Sequence, residues 1–293
     1  MTPTLYTQQS KNVARTWLLM AVFLVVILGI GYFLGYYYNN PAILYFAVIF
    51  SLVMNITSYW YSDKIALSIS GAKEAKHDEY TDLYHIVENL SITAGLPMPK
   101  IYVILDPSPN AFATGRNKEH AVVAVTTGLL ETLNKVELEG VISHELSHIG
   151  NRDILLSTIV VVLVGFISIL ANMFMRGGMR GGRDRDNGGG ILMIIGIVFI
   201  VLSPIFSRLI QLAISRKREF LADASGALLT RYPEGLASAL QKISDAHMPM
   251  KNPNPATAHL FISNPFGKKV SSLFSTHPPV EERIKALIGM SVK

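Results

Sequence analysis

The sequence predicts a mainly α-helical integral membrane protein in which four transmembrane helices accompany an α+β domain. Of the 293 residues, 50% are hydrophobic and only 16% are charged, proportions that are unusual for a soluble protein. Uncharged runs account for this excess, and each is close to the roughly 20 residues that a helix needs to cross a bilayer. There are four such runs, at residues 16–38, 43–62, 154–175 and 191–207. The stretches between the runs carry helix and strand periodicities.

The first two runs predict an N-terminal transmembrane hairpin over residues 1–64. The first run is too long for the apolar core of a signal peptide, and no small-residue cleavage site follows it, so we expect a retained anchor. Lys11 and Arg15 precede this run, which favours a cytoplasmic N-terminus under the positive-inside rule. The second run then returns the chain to the cytoplasmic side.

Residues 65–153 form the first part of the predicted α+β domain. Residues 79–94 have the periodicity of an amphipathic helix, and residues 100–105 and 121–126 are typical of strands. Between these strands lies Asn110-Ala111-Phe112-Ala113, a mostly small-residue stretch that suits an edge strand. Such a strand can line a cleft and pair with an extended substrate backbone, or it can be an ordinary hairpin arm. The sequence leaves both interpretations open.

The most informative motif is His-Glu-Leu-Ser-His at residues 144–148, inside a predicted helix over residues 134–149 that starts with a capping box. His144 and His148 are four residues apart, so both imidazoles lie on one helix face and can bind one zinc ion. Glu145 lies beside them as a general base, an arrangement typical of zinc metalloproteases. The alternative is a helix that carries two solvated histidines.

A third metal ligand is expected on a second helix. A metzincin would need a histidine at position 154, where this chain has Ile154. The other common arrangement is a glutamate followed four residues later by an aspartate, and Glu219 and Asp223 have this spacing. Glu219 can bind the metal, and Asp223 can accept the N–H of one ligand histidine. The chain has no cysteine, so we expect histidine and carboxylate ligands.

Residues 154–211 predict a second transmembrane hairpin, which divides the α+β domain into residues 65–153 and 212–293. Both parts contribute to one site, so the active site and both termini are expected to face the cytoplasm. The metal-binding helix should run almost directly into this hairpin, with Asp153 marking the membrane interface rather than orienting a histidine. The connection 176–190 would lie outside although it carries four arginines, against the positive-inside rule. The alternative is that one or two of the runs are buried core helices.

The C-terminal part carries a histidine at the start of a helix. Residues 234–246 predict another amphipathic helix, and residues 249–267 a loop in which His259 is structural. His277 precedes two prolines and a helix that contains Arg283. Either side chain could reach the oxyanion that develops during amide hydrolysis. Alternatively, the segment is a helix-entry turn in which Arg283 pairs with a carboxylate.

Composition and charge exclude several classes of function. The net charge of +5 is modest and no nucleic-acid-binding motif accompanies it, so we expect no nucleic-acid partner. No ionisable residue interrupts the four apolar runs, which disfavours a transporter and leaves the runs as anchors in the lipid bilayer. A non-catalytic zinc-binding membrane scaffold is a further alternative, although a structural zinc site is usually closed by four protein ligands and needs no base.

Taken together, these features resemble the HtpX family of bacterial heat-shock zinc metalloproteases, gluzincins that are related to the CAAX prenyl proteases. The resemblance covers nearly the whole chain. It implies four transmembrane helices with a cytoplasmic zincin-like metalloprotease domain in the bacterial inner membrane. The features that carry it are the four apolar runs, the motif at 144–148, Glu-Phe-Leu-Ala-Asp at 219–223, Asn-Ala-Phe-Ala-Thr-Gly at 110–115 and Ser-Thr-His-Pro-Pro at 275–279.

The resemblance also implies an activity and a set of site residues. The activity is hydrolysis of peptide bonds in misfolded or damaged membrane proteins under heat or envelope stress, with CAAX-type prenyl-peptide cleavage as the alternative. One Zn2+ per chain would be held by His144, His148 and Glu219, with Glu145 as the base. His277 would be an active-site group, and residues 110–113 would bind the substrate. Self-cleavage and cooperation with a membrane AAA+ protease are implied as well.

Overall fold

The computed structural model describes residues 5–163, 216–267 and 277–291, and it begins with a hairpin of two long helices. Helix α1 spans Leu5–Tyr37 and helix α2 spans Ala42–Ile69, and the two pack against each other. At the turn between them, Asn39 has a left-handed φ of 50°. The side chain of Asn40 then accepts a hydrogen bond from the N–H of Ala42, which starts α2.

Both helices of the hairpin are long and apolar enough to cross a membrane. The mean hydropathy is 2.6 over Asn12–Tyr37 and 1.8 over Ala42–Ile69. Large apolar side chains such as Trp17 and Phe46 are 58% and 70% exposed, as a lipid-facing surface requires. The two N-terminal candidate spans are therefore confirmed by length and composition. Residues 164–215, which include the predicted fourth run, most of the third run and the connection 176–190, lie outside the described residues.

A four-stranded sheet follows the hairpin. Its strands are β1 (Lys73–Glu74), β2 (Lys100–Ile104), β3 (Ala111–Gly115) and β4 (Ala121–Thr126), in the spatial order β1-β2-β4-β3. Strands β2 and β4 are parallel, whereas the β1–β2 and β3–β4 pairs are antiparallel. The predicted strands at 100–105 and 121–126 are confirmed, and β3 is an edge strand as its composition indicated.

Helices surround this sheet, and the predicted helices at 79–94, 134–149 and 234–246 are confirmed. A 3-10 turn, Lys118–His120, links β3 to β4. The remaining helices are α3 (Thr81–Ala94), α4 (Thr127–Thr132), α5 (Lys135–Gly150), α6 (Asp153–Leu163), α7 (Arg216–Thr230), α8 (Pro233–Ala246) and α9 (Val280–Ser291).

Helix α5 begins at the predicted capping box. The Asn134 side chain accepts a hydrogen bond from the Glu137 N–H at 3.0 Å, and the Glu137 carboxylate accepts one from the Asn134 N–H at 2.9 Å. The same carboxylate also accepts hydrogen bonds from Ser238 and Lys242 of α8. The start of α5 is therefore fixed both by its own cap and by a neighbouring helix.

The sheet separates two apolar cores. On one face, Val123 and Val125 of β4 pack with the buried side of α5, including Ile142. On the other face, Phe112 of β3 packs with Phe261, whose ring lies edge to face at a centroid distance of 5.0 Å. Successive residues of the strands thus serve opposite cores, as the alternation of a β-strand requires.

The chain turns sharply between α5 and α6, whose axes differ by 86°. Arg152 lies at this turn with a left-handed φ of 57°. The metal-binding helix therefore leads almost directly into the start of the third apolar run, as expected, but the chain changes direction between the two helices. Gly150, Asn151, Arg152 and Asp153 interrupt the apolar spacing at this point, but the sequence pattern does not give the angle of the turn. Most of the described residues of α6, such as Ile159 and Leu163, are buried in the protein.

Two glycines allow other helices to cross α5 at close range. A Cβ on Gly140 would lie 2.7 Å from the backbone nitrogen of Leu236, the point where α8 crosses. A Cβ on Gly226 of α7 would lie 3.0 Å from the backbone nitrogen of His144. The crossing of α8 explains why a residue without a side chain stands at position 140.

We expect Gly140→Ala to lower the free energy of unfolding. The added methyl group would meet the α8 backbone at 2.7 Å, so the overpacking cost should fall near the upper end of about 1–3 kcal/mol. That cost exceeds the roughly 1 kcal/mol that alanine gains over glycine in an unconstrained helix. Thermal or denaturant unfolding of the detergent-solubilised protein measures the change.

The matched control is Gly289→Ala on α9, where an added Cβ would have nothing within 4 Å. This control should be neutral or slightly stabilising. A loss of similar size in both variants would argue against a specific role for the α5–α8 crossing.

Candidate metal centre

Helix α5 directs two histidines towards one point. The Nε2 atoms of His144 and His148 are 3.2 Å apart, and the two rings meet edge to face. Their side chains are 1% and 16% exposed. The four-residue spacing therefore puts both imidazoles on one buried helix face, as the sequence predicted.

Helix α7 brings Glu219 to the same point. Its Oε2 lies 3.8 Å from the His144 Nε2, and its Oε1 lies 3.7 Å from the His148 Nε2. One ligand atom from each of the three residues falls within a group no more than 4.8 Å across. The close crossing at Gly226 explains why α7 can approach α5 to this distance.

A buried ion pair orients His144. Its Nδ1 lies 2.9 Å from the Asp223 carboxylate, which is the contact that the sequence predicted. Arg283 donates to both oxygens of this carboxylate, with distances of 2.9 Å from Nε and 2.7 Å from Nη2, and its side chain is fully buried. Although burial acts in the opposite direction, the charge and hydrogen bonds of Arg283 lower the pKa of Asp223 to about 2. Arg283 thus pairs with a carboxylate, one of the two roles that the sequence left open.

A second carboxylate orients His148. Its Nδ1 lies 3.1 Å from Oδ2 of Asp153, and Arg218 donates to Oδ1 of the same carboxylate at 3.2 Å. The expectation that Asp153 only marks the membrane interface was wrong, because the 86° turn between α5 and α6 directs it back towards the metal centre. Sequence reasoning missed Arg218, which has no local motif besides its position next to Glu219.

These contacts determine which atoms are free to bind a cation. Each Nδ1 faces a carboxylate, so each neutral imidazole carries its proton on Nδ1. Both Nε2 atoms are then acceptors, and they face each other and the Glu219 carboxylate. Such a cluster of acceptors needs a positive charge, and two imidazoles with one carboxylate suit Zn2+.

Protonation of His148 would also supply the positive charge that this cluster of acceptors needs. Burial alone would lower the pKa of its imidazole. The hydrogen bond to Asp153 and the charge of Glu219 outweigh this effect and raise the pKa to about 9. The surroundings of the two rings therefore favour a positive charge at this position.

Glu145 lies in the same small cavity as His148 and Glu219, and it is 2% exposed. Burial raises the pKa of Glu145, and the nearby histidines oppose this only in part. Burial would also raise the pKa of Glu219, but its interactions with His277 hold that pKa well below the usual range. The two glutamates are therefore suited to different tasks: Glu219 stays ionised, whereas Glu145 can exchange a proton closer to neutral pH.

His277, three residues before the first residue of α9, also lines this cavity. Its Nδ1 lies 2.7 Å from Oε2 of Glu219, the oxygen that faces His144. The segment 268–276 before it lies outside the described residues, including Ser275 and Thr276 of the motif. The structure thus brings His277 into the site, whereas Arg283 lies behind it on Asp223.

The four residues of the predicted substrate strand have different surroundings. Ala113 lines the cavity, whereas Ala111 packs in the apolar core below α5. The Asn110 side chain exchanges two hydrogen bonds with the backbone of Ser263. Phe112 packs on the opposite face of the sheet. Of the four, only the Ala113 position borders the metal centre directly.

His259 was expected to be structural, and its Nε2 lies 3.0 Å from the Ser157 carbonyl oxygen. It nevertheless lines the cavity, as do Ser157 and Leu260. Burial lowers the pKa of His259 to about 4, so the ring is neutral at physiological pH and donates to the carbonyl. These wall residues come from α6 and a distant loop, and no sequence motif links them to the site.

Comparison with known proteins identifies a matching family. A model of "Peptidase family M48" matches residues 77–291, which is more than half of the chain. Among solved structures, that of S. mikatae Ste24p has a similar fold, with a TM-score of 0.53 at 18% sequence identity. The match covers 96% of this chain and 67% of that one.

Relatives named "Protease HtpX homolog" match over almost the full length. The one from Caldanaerobacter subterraneus subsp. tengcongensis is 48% identical over an alignment of 296 positions that covers 99% of each chain. The one from Thermococcus sibiricus is 52% identical and covers 93% of this chain and 94% of its own. The one from Pyrococcus furiosus is 50% identical with the same coverage of both chains.

We expect Arg283→Met to destabilise the protein by about 3–5 kcal/mol, because it leaves the buried Asp223 carboxylate without its charge partner. Denaturant unfolding in detergent measures the loss. The double variant Arg283→Met with Asp223→Asn should recover part of it, since the unpaired charge is then gone. Lys285→Met removes an exposed cation from the same helix and should change stability by less than about 0.5 kcal/mol. Equal effects of the two single variants would contradict the buried pair.

Proposed function

Because this chain belongs to peptidase family M48 and is a metalloprotease, we propose that His144, His148 and Glu219 hold one Zn2+ and that Glu145 is the base of peptide hydrolysis. The observation that carries the proposal is the position of the Glu145 carboxyl group. It is buried in the cavity that His148 and Glu219 also line. A scaffold that only stores zinc would have no use for a proton-exchanging carboxyl group there.

Glu145 and the bound metal have different roles in amide hydrolysis. Zinc, when bound, supplies a Lewis acid that polarises the scissile carbonyl and makes water more acidic. Glu145 takes the proton of the attacking water and returns it to the departing amide nitrogen. Its raised pKa suits both steps, because the carboxylate must first accept a proton and then release it. The surrounding protein excludes bulk water, which strengthens these interactions.

We assign the remaining polar groups to substrate stabilisation and positioning. His277 lines the cavity and can donate to the oxyanion that forms as the carbonyl is attacked. Asp223 holds the His144 ring, and Arg283 fixes Asp223 from behind. Since Arg283 is fully buried on Asp223, we propose that it positions a ligand rather than contacts the substrate.

The edge of β3, residues 110–113, is proposed to bind the substrate backbone. The Asn110 carbonyl accepts a hydrogen bond from the Thr126 N–H, so the antiparallel alternation directs the backbone groups of Ala111 and Ala113 away from β4. The Ala111 carbonyl already accepts a hydrogen bond from the Ile262 N–H at 2.9 Å. Ala113 borders the cavity, so its outward N–H and C=O are the groups to which an extended substrate would pair.

The proposed substrates are misfolded or damaged proteins of the bacterial inner membrane. Two helices with the length and composition of spans support a membrane location. The first residue of the first span, Asn12, contacts the metal-site domain at Asp153, so polypeptide that leaves the bilayer there is close to the centre. The resemblance to the HtpX family supports the cytoplasmic orientation, the second hairpin over 154–211, self-cleavage and a membrane AAA+ partner.

We expect Glu145→Gln to bind one equivalent of zinc and to lose about 100- to 10,000-fold in turnover, because only the proton transfer is removed. The measurement compares zinc content and cleavage of an unfolded protein by the wild-type and variant chains in detergent. Glu139→Gln changes another glutamate on α5 and is the matched control. It should keep both the zinc content and the cleavage activity of the wild type.

Two outcomes would contradict this assignment. Retained cleavage by the Glu145 variant would remove its role as base, and absence of zinc from the wild type would remove the metal site. Cleavage of a prenylated peptide but not of an unfolded protein would instead favour the prenyl-peptide alternative. A chelator should abolish whatever cleavage the wild type shows.

We expect Ala113→Pro to weaken cleavage of extended peptides by about tenfold or less, chiefly through KM, because it removes one backbone hydrogen bond to the substrate. The lost N–H points away from β4, so the sheet ladder stays intact. Ala113→Gly is the matched control: it keeps the N–H at the same position and should leave KM unchanged. Steady-state kinetics decide: equal KM values for both variants would mean that substrate does not pair at Ala113.

A further inference from the structure

One buried amide connects the first apolar helix to the metal centre. Asn12 is the first residue of the apolar stretch Asn12–Tyr37 on α1, and it is 1% exposed. Its side-chain nitrogen lies 2.5 Å from Oδ1 of Asp153 and 3.3 Å from the carbonyl oxygen of Asn151. Both partners lie at the turn that joins α5 to α6.

The chemistry of the two partners fixes the orientation of this amide. A carboxylate and a carbonyl oxygen are both acceptors, so the NH2 group of Asn12 must face them. The amide oxygen then points elsewhere, and among the described residues it has no hydrogen-bond partner. A buried polar atom without a partner costs roughly 1–3 kcal/mol, which an apolar side chain would avoid. The contribution of the Asn12 side chain to the structure therefore lies in the two hydrogen bonds that its NH2 group donates.

The contact continues to a metal ligand through a single carboxylate. Oδ1 of Asp153 receives the donors of Asn12 and Arg218, at 2.5 and 3.2 Å, and Oδ2 lies 3.1 Å from the His148 Nδ1. Two donors on one oxygen fix the plane of the carboxylate. This leaves the other oxygen to hold the imidazole in the orientation that directs Nε2 at the metal position.

We propose that Asn12 is a positioning residue for the metal centre, which makes zinc affinity depend on how α1 is seated against the α5–α6 turn. This inference rests on the proposed zinc site of His144, His148 and Glu219. Arg218 supplies the positive charge that balances Asp153. Asn12 is neutral, and its hydrogen bond fixes the orientation of the Asp153 carboxylate. The amide comes from a helix that packs chiefly on α2, so displacement of the hairpin would release one side of the Asp153 carboxylate.

A double-mutant cycle on the full-length protein in detergent tests this. Zinc dissociation constants are measured by competition with a chelating dye for wild type, Asn12→Leu, Asp153→Asn and the double variant. We expect Asn12→Leu to weaken zinc binding about tenfold and Asp153→Asn about 10- to 100-fold. If Asn12 acts through Asp153, the double variant should bind no more weakly than Asp153→Asn alone. The absorption spectrum of the Co2+-loaded protein should shift in Asn12→Leu, since it reports ligand geometry.

Asn55 provides a matched control inside the same hairpin. Its side chain donates to the Met20 carbonyl at 3.5 Å and makes no contact with the metal-site domain that the structure describes. Asn55→Leu should leave zinc affinity and the Co2+ spectrum unchanged. Asn12→Ser is measured alongside, because its small side chain cannot clash yet is too short to reach both oxygens. It should weaken zinc binding as Asn12→Leu does.

The outcomes separate this inference from the proposed function. If wild type binds zinc and both Asn12 variants bind it equally well, the inference is wrong and the zinc site stands. Equal losses of zinc affinity in Asn12→Leu and Asn55→Leu would also overturn the inference, and so would additive losses in the double variant. Either result would mean that zinc affinity depends on the general packing of the hairpin. A wild-type protein that binds no zinc would overturn the proposed function itself.

Discussion

The arrangement of this site depends on two imidazole nitrogens that face each other at 3.2 Å beside a carboxylate. Such a group of acceptors is stable only around a positive charge, and much of the surrounding structure serves to keep it assembled. Asp223 and Asp153 hold the outer nitrogens of the two rings. The glycine at 226 lets the Glu219 helix approach within backbone contact of the histidine helix. The geometry of the metal ligands therefore depends directly on the close packing of these two helices.

Local pattern was enough to predict the parts of the site that lie on single helices. The four-residue spacing on α5, its capping box and the spacing of Glu219 and Asp223 each depend on one helix, where the sequence fixes which residues share a face. Asp153 could not be predicted this way, because its direction depends on the 86° angle of the turn, which the sequence pattern does not give. Arg218 and Asn12 meet Asp153 over 65 and 141 residues of sequence, and only the tertiary structure brings them together.

The edge strand beside the site is covered by the protein's own chain at both ends. Ile262 donates to the Ala111 carbonyl, and the Gly115 N–H points towards the Thr158 hydroxyl at 3.5 Å. An unpaired edge would invite pairing with other chains, so this covering limits the open edge to the position that borders the cavity. The same small-residue composition that suggested a substrate strand therefore also fits a strand buried on both faces, and sequence could not distinguish the two.

The distribution of charge around the site explains why a divalent cation fits it. Among the residues that the structure describes, four carboxylates surround the cluster: Glu145, Glu219, Asp153 and Asp223. Two buried arginines neutralise the aspartates, Arg218 on Asp153 and Arg283 on Asp223. With neutral imidazoles, the two glutamates leave two negative charges in a buried space, which is the charge that a divalent ion supplies. The raised pKa of His148 has the same origin, since a proton offsets part of this excess. The arginines thus keep the orienting aspartates from competing for the metal and leave Glu219 as its carboxylate ligand.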